Sequence, residues 1–400
     1  MRHLTAETVP RLIKGELPPE ERNEAIRHLL TPCPQCARLA RSAVVGERAE
    51  LDSILDRLEA RQQEIKERIQ QERSLAARQW ASLQKHSQAQ RLALIDADPQ
   101  MHTWGLYDTL LEAALKEARQ AVEVTELALA VAMSLDKDLY GEALIADYQA
   151  AAMAVRGNCK RIAEDFEGAR TDLETAWELL KKGTGDPLEK ASLLSLRGSW
   201  NTDLGFRKEA EELFARAINL YRLAGNDSLA GRTMVAQALA INSHDPERAI
   251  LVLEEASGCI DPIKEPWAEL CRRHNLAWCL NEAGQAMEAL RVLEGSRGLY
   301  RKFRDPKIQL QLHCLEGSIY QKLGDPKKAE EIFERAAMDF LERGFPQECL
   351  LCGLELATVI YAQGDRKGAF QICRNLYSLL DLRHMHTEKL VVLLFVNSLR

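Results

Sequence analysis

From about residue 100 onward, apolar residues recur at three- and four-residue steps, the spacing of amphipathic helices, and a longer rhythm is laid over them. Ala169, Ala210, Ala249, Ala289, Ala329 and Ala369 stand 41, 39, 40, 40 and 40 residues apart. Four places after each comes Leu173, Phe214, Leu253, Leu293, Phe333 or Cys373, and three places further Ala176, Ala217, Ala256, Ser296 and Ala336 follow the first five. A period of this length predicts stacked helix pairs, because one pair cannot bury its apolar face alone and a neighbour must cover it. Twelve places before each alanine the preceding helix carries Gly157, Gly198, Gln237, Ala277, Gly317 or Ala357, mostly small residues that let two helices approach closely. Turn residues separate the two helices of a pair: Gly205-Phe206-Arg207, His244-Asp245-Pro246, Gly284-Gln285, Gly324-Asp325-Pro326 and Gly364-Asp365. An earlier unit around Ala121 and Ala128 brings the number of pairs to about seven. The apolar segment from Glu388 to Arg400 reads as a closing helix or one cut short.

This arrangement resembles the tetratricopeptide repeat, in which a small residue in helix A meets alanine, aromatic and alanine positions in helix B. The resemblance covers roughly residues 100 to 400 and is most specific from Gly198 to Ala217 and from Gly317 to Ala336, where Tyr320 also fits. The unit is about 40 residues instead of 34. The extra length falls in the B helices and in loops such as Gly183 to Pro187, Gly225 to Asp227, Asp305-Pro306 and Gly344 to Pro346. The resemblance implies an all-α fold, an α-solenoid whose groove takes a protein or peptide ligand.

Two zones precede the array. Between Glu47 and Ile95 there is neither glycine nor proline, and Leu51, Leu55, Leu58, Ile65, Ile69, Ala76, Trp80 and Leu83 form a narrow apolar seam interrupted by Gln62 and Glu72. One long helix from about Gly46 to Leu94 is predicted, either a connector packed on the first repeat or a helix that pairs with a partner or with itself. In residues 1 to 42, Thr5 can cap a helix, Gly15 can end it, and Pro18 to Glu21 opens the next, which stops before Thr31-Pro32. The chain therefore divides into a small three-helix module at 1–42, a connecting helix at 43–98 and a repeat array at 99–400.

The small module holds the one candidate chemical centre. Cys33-Pro34-Gln35-Cys36 offers two thiolates to one ion, His28 a third ligand, and His3 a fourth. The same cysteines also read as packed thiols. With His3-Leu4-Thr5, the stretch Gly15 to Arg22 and His28-Leu29-Leu30, this module resembles the zinc-binding anti-sigma family over about the first tenth of the chain. Four residues separate His28 from Cys33, where the family usually has three. That resemblance implies a clamp for an alternative sigma factor of bacterial RNA polymerase, with a structural zinc. Four protein ligands leave no open position for water activation. Oxidation to a Cys33–Cys36 disulfide would eject the ion, a redox reading of the same pair.

Composition narrows partners. The chain has 400 residues, 46% hydrophobic and 28% charged, and a formal net charge of -7, which gives no general attraction to nucleic acid or anionic lipid. No secretory signal is evident at Met1 to Pro10 and the apolar run Val391 to Val396 is too short for a membrane span, so a cytoplasmic protein is expected. Ten cysteines mostly stand singly inside helices as small hydrophobes; Cys349 and Cys352 are expected in the core, and His384-Met385-His386 lacks a third metal ligand. Trp177, Trp200, Tyr221, Trp267, Trp278, Tyr300 and Tyr320 are expected to be core, a few of them lining the groove. With no recognisable hydrolase or metalloprotease frame, the sequence points to a non-enzymatic adaptor or regulator. The alternatives are a plain repeat scaffold and an accessory subunit of a larger complex.

Overall fold

A computed structural model describes residues 3–5, 7–13, 15–18, 21–22, 25, 33, 35–36, 38–39, 48–116, 121–303, 305–382 and 386–398; of these, 13, 48–62, 65, 116, 381–382 and 386–387 are described in backbone only. Every regular element among the described residues is helical. The chain separates into two compact units, Met1–Thr109 and Leu110–Arg400.

In the first unit, Thr5 Oγ1 accepts the Thr8 amide at 3.2 Å and opens helix α1 (Thr8–Ile13), which ends before Gly15. Leu4, Val9, Leu17, Ala25 and Cys36 form a small buried cluster there. The connecting zone is helix α2 (Arg48–Leu83) followed by α3 (Gln88–Ala97). The single helix expected to Leu94 is thus broken at 84–87. The cause is a capping box: Ser87 and Gln90 exchange side-chain and backbone bonds, a helix start signal inside a stretch without glycine or proline. Arg91 closes the break by donating to the carbonyls of Leu83 and Gln84. Glu72, a polar interruption of the apolar seam in the sequence, is buried and holds α2 against the start of α4 (Trp104–Lys116), accepting the Gly105 amide at 3.1 Å and Arg68 at 3.0 Å.

The second unit continues through α5 (Ala121–Ser134) and the short α6 (Lys137–Tyr140) into six helix pairs. The A helices are α7 (Glu142–Ile162), α9 (Pro187–Asp203), α11 (Asp227–Asn242), α13 (Pro266–Glu282), α15 (Pro306–Lys322) and α17 (Pro346–Ala362). Their B partners are α8 (Phe166–Leu180), α10 (Arg207–Leu223), α12 (Pro246–Ala256), α14 (Ala286–Tyr300), α16 (Pro326–Glu342) and α18 (Arg366–Leu382). Helix α19 (His386–Ser398) closes on α17 and α18. The fold is an all-α solenoid of stacked helix pairs, with α5 packed on α7 ahead of the six.

Local chemistry sets the punctuation. Asp186, Asp245, Asp305 and Asp325 each precede a proline at the first helical position, and each carboxylate accepts a backbone N–H at 2.8–3.0 Å. Between α15 and α16, Gly324 takes φ 77°, and the next amide, Asp325 N–H, reaches back to the Tyr320 carbonyl at 2.9 Å. This left-handed cap is a conformation in which a side chain is strained. In the α7–α8 turn the equivalent place is held by Glu164, φ 64°, with the same closure from Asp165 to Lys160.

Packing explains the forty-residue rhythm. All six marker alanines have zero exposure, and their followers are at most 3% exposed. At Gly198 and Gly317 the ring of Phe214 or Phe333 lies where a Cβ would be, so the glycine in helix A is a seat for the aromatic of helix B. Cys349 and Cys352 pack with Ala336 and Phe340, as the sequence suggested. Among the described residues no helix is long and apolar enough to cross a membrane.

Candidate functional site

Two places gather chemistry. In the first unit, Leu4 and the turn carrying the cysteines are drawn together: the Leu4 N–H donates to Cys36 Sγ at 3.3 Å, and Cys36 is fully buried. This brings His3 beside both thiols, its Nδ1 being 3.4 Å from Cys33 Sγ and 3.6 Å from Cys36 Sγ. All three donor atoms lie within 4.8 Å of one another. A tetrahedral zinc with bonds of about 2.0–2.3 Å separates its ligand atoms by about 3.5–3.8 Å, so the His3 and cysteine donors fit such an ion. A backbone hydrogen bond from Cys36 favours the Cys33 thiolate and holds the thiol below its usual range, outweighing desolvation, which opposes it. His28, the remaining expected ligand, lies outside the described residues, as do His384 and Met385.

The second place is on the array. Successive A helices touch one another, whereas no successive B helices do so to the same extent among the described residues, so the A side is the inner side of the stack. On α13, Trp267, Cys271, His274, Asn275 and Trp278 recur at steps of four, three, one and three, which keeps them within a stripe about 100° wide. Together with Leu239 of α11, Leu270 of α13, Tyr300 of α14, and Ile308 and Gln311 of α15, they line a cavity of about 350 Å³. Trp267 and Trp278 are 48% and 40% exposed and so are not core but among the few aromatics expected to line a groove; Tyr300 is buried. Trp267 sets its edge against Phe303 with centroids 5.1 Å apart.

The electrostatics of this cavity are neutral. Burial drives His274 down to about 4 and holds the Tyr300 phenol well above its ordinary value. Tyr300 Oη and His274 Nδ1 share a hydrogen bond of 2.6 Å between two uncharged groups. Desolvation pushes the Cys271 thiol up to about 11, so it stays protonated. No lining side chain carries charge at neutral pH. What the cavity offers is a set of uncharged donors and acceptors between aromatic walls, an arrangement that holds a ligand.

A smaller cavity of about 200 Å³ lies among Asp147, Trp177, Lys181, Asp186 and Lys190 and carries both signs of charge. Beside it, burial first, then the charges of Asp186 and Asp147, raise Glu189 to about 7.

His274, Asn275 and Gln311 were missed by sequence reasoning because isolated polar residues in an amphipathic helix usually face solvent. The available signal was the stripe from Trp267 to Trp278, with aromatic and polar residues on the face that does not carry the packing position Ala277.

No protein-family model matches the chain, and no curated protein matches it in sequence. Solved structures do share its fold. The signal-transduction ATPase with numerous domains from Pyrococcus horikoshii, which carries a tetratricopeptide-repeat sensor, aligns with a TM-score of 0.53 and 15% identity, over 94% of this chain and 55% of that one. NprR in complex with its cognate peptide NprX aligns with a TM-score of 0.50 and 18% identity, over 72% of this chain and 81% of that one. A Rap protein complexed with competence and sporulation factor gives a TM-score of 0.48 and 15% identity, over 81% and 99% of the two chains.

Proposed function

We propose that the chain is a non-enzymatic adaptor that holds another polypeptide along the A-helix side of its repeat array. The observation that carries this is the cavity of about 350 Å³ across α11, α13 and α15, aromatic-walled, open and without charge. NprR, which shares the fold, was solved with a peptide bound, which supports the same class of ligand here. Photo-crosslinking from Gln311 in cells of the source organism, compared with Arg291 on α14, tests it. A discrete polypeptide adduct from Gln311 alone supports the adaptor; no adduct, or equal adducts from both, removes it.

A second reading concerns the module at 1–42, ahead of a connector at 43–98 and an array from 99. The fit of His3, Cys33 and Cys36 to a tetrahedral ion supports a structural zinc completed by His28, and thereby the clamp for an alternative sigma factor that the anti-sigma resemblance suggests. When bound, the metal would tie His3 to the cysteine turn and so brace the Leu4, Val9 and Leu17 cluster. One zinc per chain, lost in the Cys33→Ala/Cys36→Ala variant, together with binding of a purified alternative sigma factor by the full chain, supports this reading. Metal-free protein as purified removes the zinc; failure to bind any such factor leaves the module a structural piece of a plain scaffold or accessory subunit.

A further inference from the structure

We infer that the cavity between α11, α13 and α15 is a selectivity pocket for one uncharged aromatic side chain of an extended polypeptide, whose backbone is held by Asn275 and Gln311. This rests on the adaptor reading above and adds what the groove selects.

The geometry limits the occupant. Trp267 and Trp278 are eleven residues apart on one helix face, a rise of about 16 Å. About five residues of extended chain span that distance. Two half-exposed indoles on the concave side of a stack are an exposed apolar surface of the kind that marks a binding site, whereas a single surface tryptophan is not. Trp267 is held edge-on by Phe303, so one wall of the pocket is fixed before any ligand arrives. Aromatic walls favour an aromatic guest, since ring pairs gain from edge and offset contacts beyond the area they bury.

Polarity limits it further. Among the described residues no protein group bonds the Asn275 amide or the Gln311 amide, and each offers a donor pair and an acceptor, the complement of a peptide C=O and N–H. The imidazole of His274 is tied through Nδ1 to Tyr300, which leaves Nε2 as a further uncharged polar atom for a peptide group. A lysine or glutamate side chain entering here would lose its water without meeting an opposite charge, so charged residues are excluded by desolvation.

The test uses the full chain and an array of end-capped pentapeptides with polar flanks, in which the central residue is Trp, Phe, Leu, Lys or Glu. Aromatic-centred peptides are expected to bind at least about ten-fold tighter than those centred on Lys or Glu. Trp278→Ala is expected to weaken aromatic-centred binding roughly 10- to 100-fold, and Trp278→Phe to recover most of it. Arg291→Ala, on an exposed side chain of α14, leaves binding unchanged. Unfolding curves confirm that the half-exposed Trp278 can be truncated without loss of the fold, and Gln311→Ala gives an independent reading of the backbone contact. Binding that prefers a charged centre, or that ignores both Trp278→Ala and Gln311→Ala, overturns this inference while leaving the adaptor reading standing. If no pentapeptide binds and no adduct forms from Gln311, both fall.

Discussion

Replacing Gly317 by alanine tests the packing that the forty-residue rhythm encodes. A Cβ at Gly317 would stand 2.5 Å from Phe333 Cε2 and 2.8 Å from Cε1, and closer still to Cζ. Phe333 is 1% exposed and sits between α15 and the core of the next pair, so the ring cannot swing into solvent. Alanine in a helix interior gains about 1 kcal/mol of propensity over glycine. Forcing a methyl into a close-packed core costs about 1–3 kcal/mol, and here the overlap with three ring atoms places it at the upper end. The net expectation is a loss of about 1–2 kcal/mol. At Gly157 the same methyl would stand 3.1 Å from the branching carbon of Leu173 and 3.2 Å from both the Ala169 carbonyl oxygen and Asp172 Cβ, looser contacts than at Gly317, so a smaller loss is expected there. At exposed Gly298 nothing lies within 4 Å, and alanine should stabilise by about 1 kcal/mol. Urea unfolding followed by circular dichroism ranks the three, and Gly317→Ala combined with Phe333→Leu should be less destabilised than the sum of the single changes, by about 1 kcal/mol. If Gly317→Ala proves as stable as Gly298→Ala, the ring does not occupy the glycine seat and the account of the repeat is wrong.

Glu164→Gly should stabilise the array by about 0.5–1 kcal/mol in the same urea assay, because it relieves a left-handed backbone carrying a side chain, and Glu164→Ala should not. Glu189 has its folded-state carboxyl raised to about 7 from 4.5, so its contribution is fully favourable below 4.5 and is lost as pH rises through 7. Glu189→Gln is therefore expected to exceed the natural chain in stability by about 1–3 kcal/mol at pH 8 and to match it at pH 4.5. His274 behaves in the opposite direction. Its folded pKa of about 4 lies below the ordinary 6.5, so stability falls as pH drops from 6.5 towards 4, by about 3 kcal/mol, and His274→Gln should flatten that part of a pH-stability profile.

The array was legible because its constraints repeat. Each alanine at a helix crossing and each glycine under an aromatic ring is fixed by close packing, and residue type alone records that requirement. Caps were equally readable, since Asp-Pro at a helix start and glycine after its end follow from orphan amides and a left-handed turn. The break at Ser87 was hidden because its signal, a capping box of Ser87 and Gln90, contains neither glycine nor proline. Glu72 read as an interruption for a related reason: a buried carboxylate looks like a solvent-facing one until the Gly105 amide that it accepts is known. In the small module, spacing alone suggested a ligand set, but only the fold brings His3, 30 residues away from Cys33, to within 3.4 Å of it. The groove was least legible, because tryptophans such as Trp267 and Trp278 are the residue type of a core, and their exposure depends on how the neighbouring helices pack, which residue type does not record.

Hydrogen–deuterium exchange on the full chain, with and without a saturating aromatic-centred pentapeptide, shows which side of the array holds the ligand. Added protection is expected to be confined to α11, α13 and α15, at residues 227–242, 266–282 and 306–322. Protection centred on the B helices α10, α12 and α14, or none on either side, would contradict it.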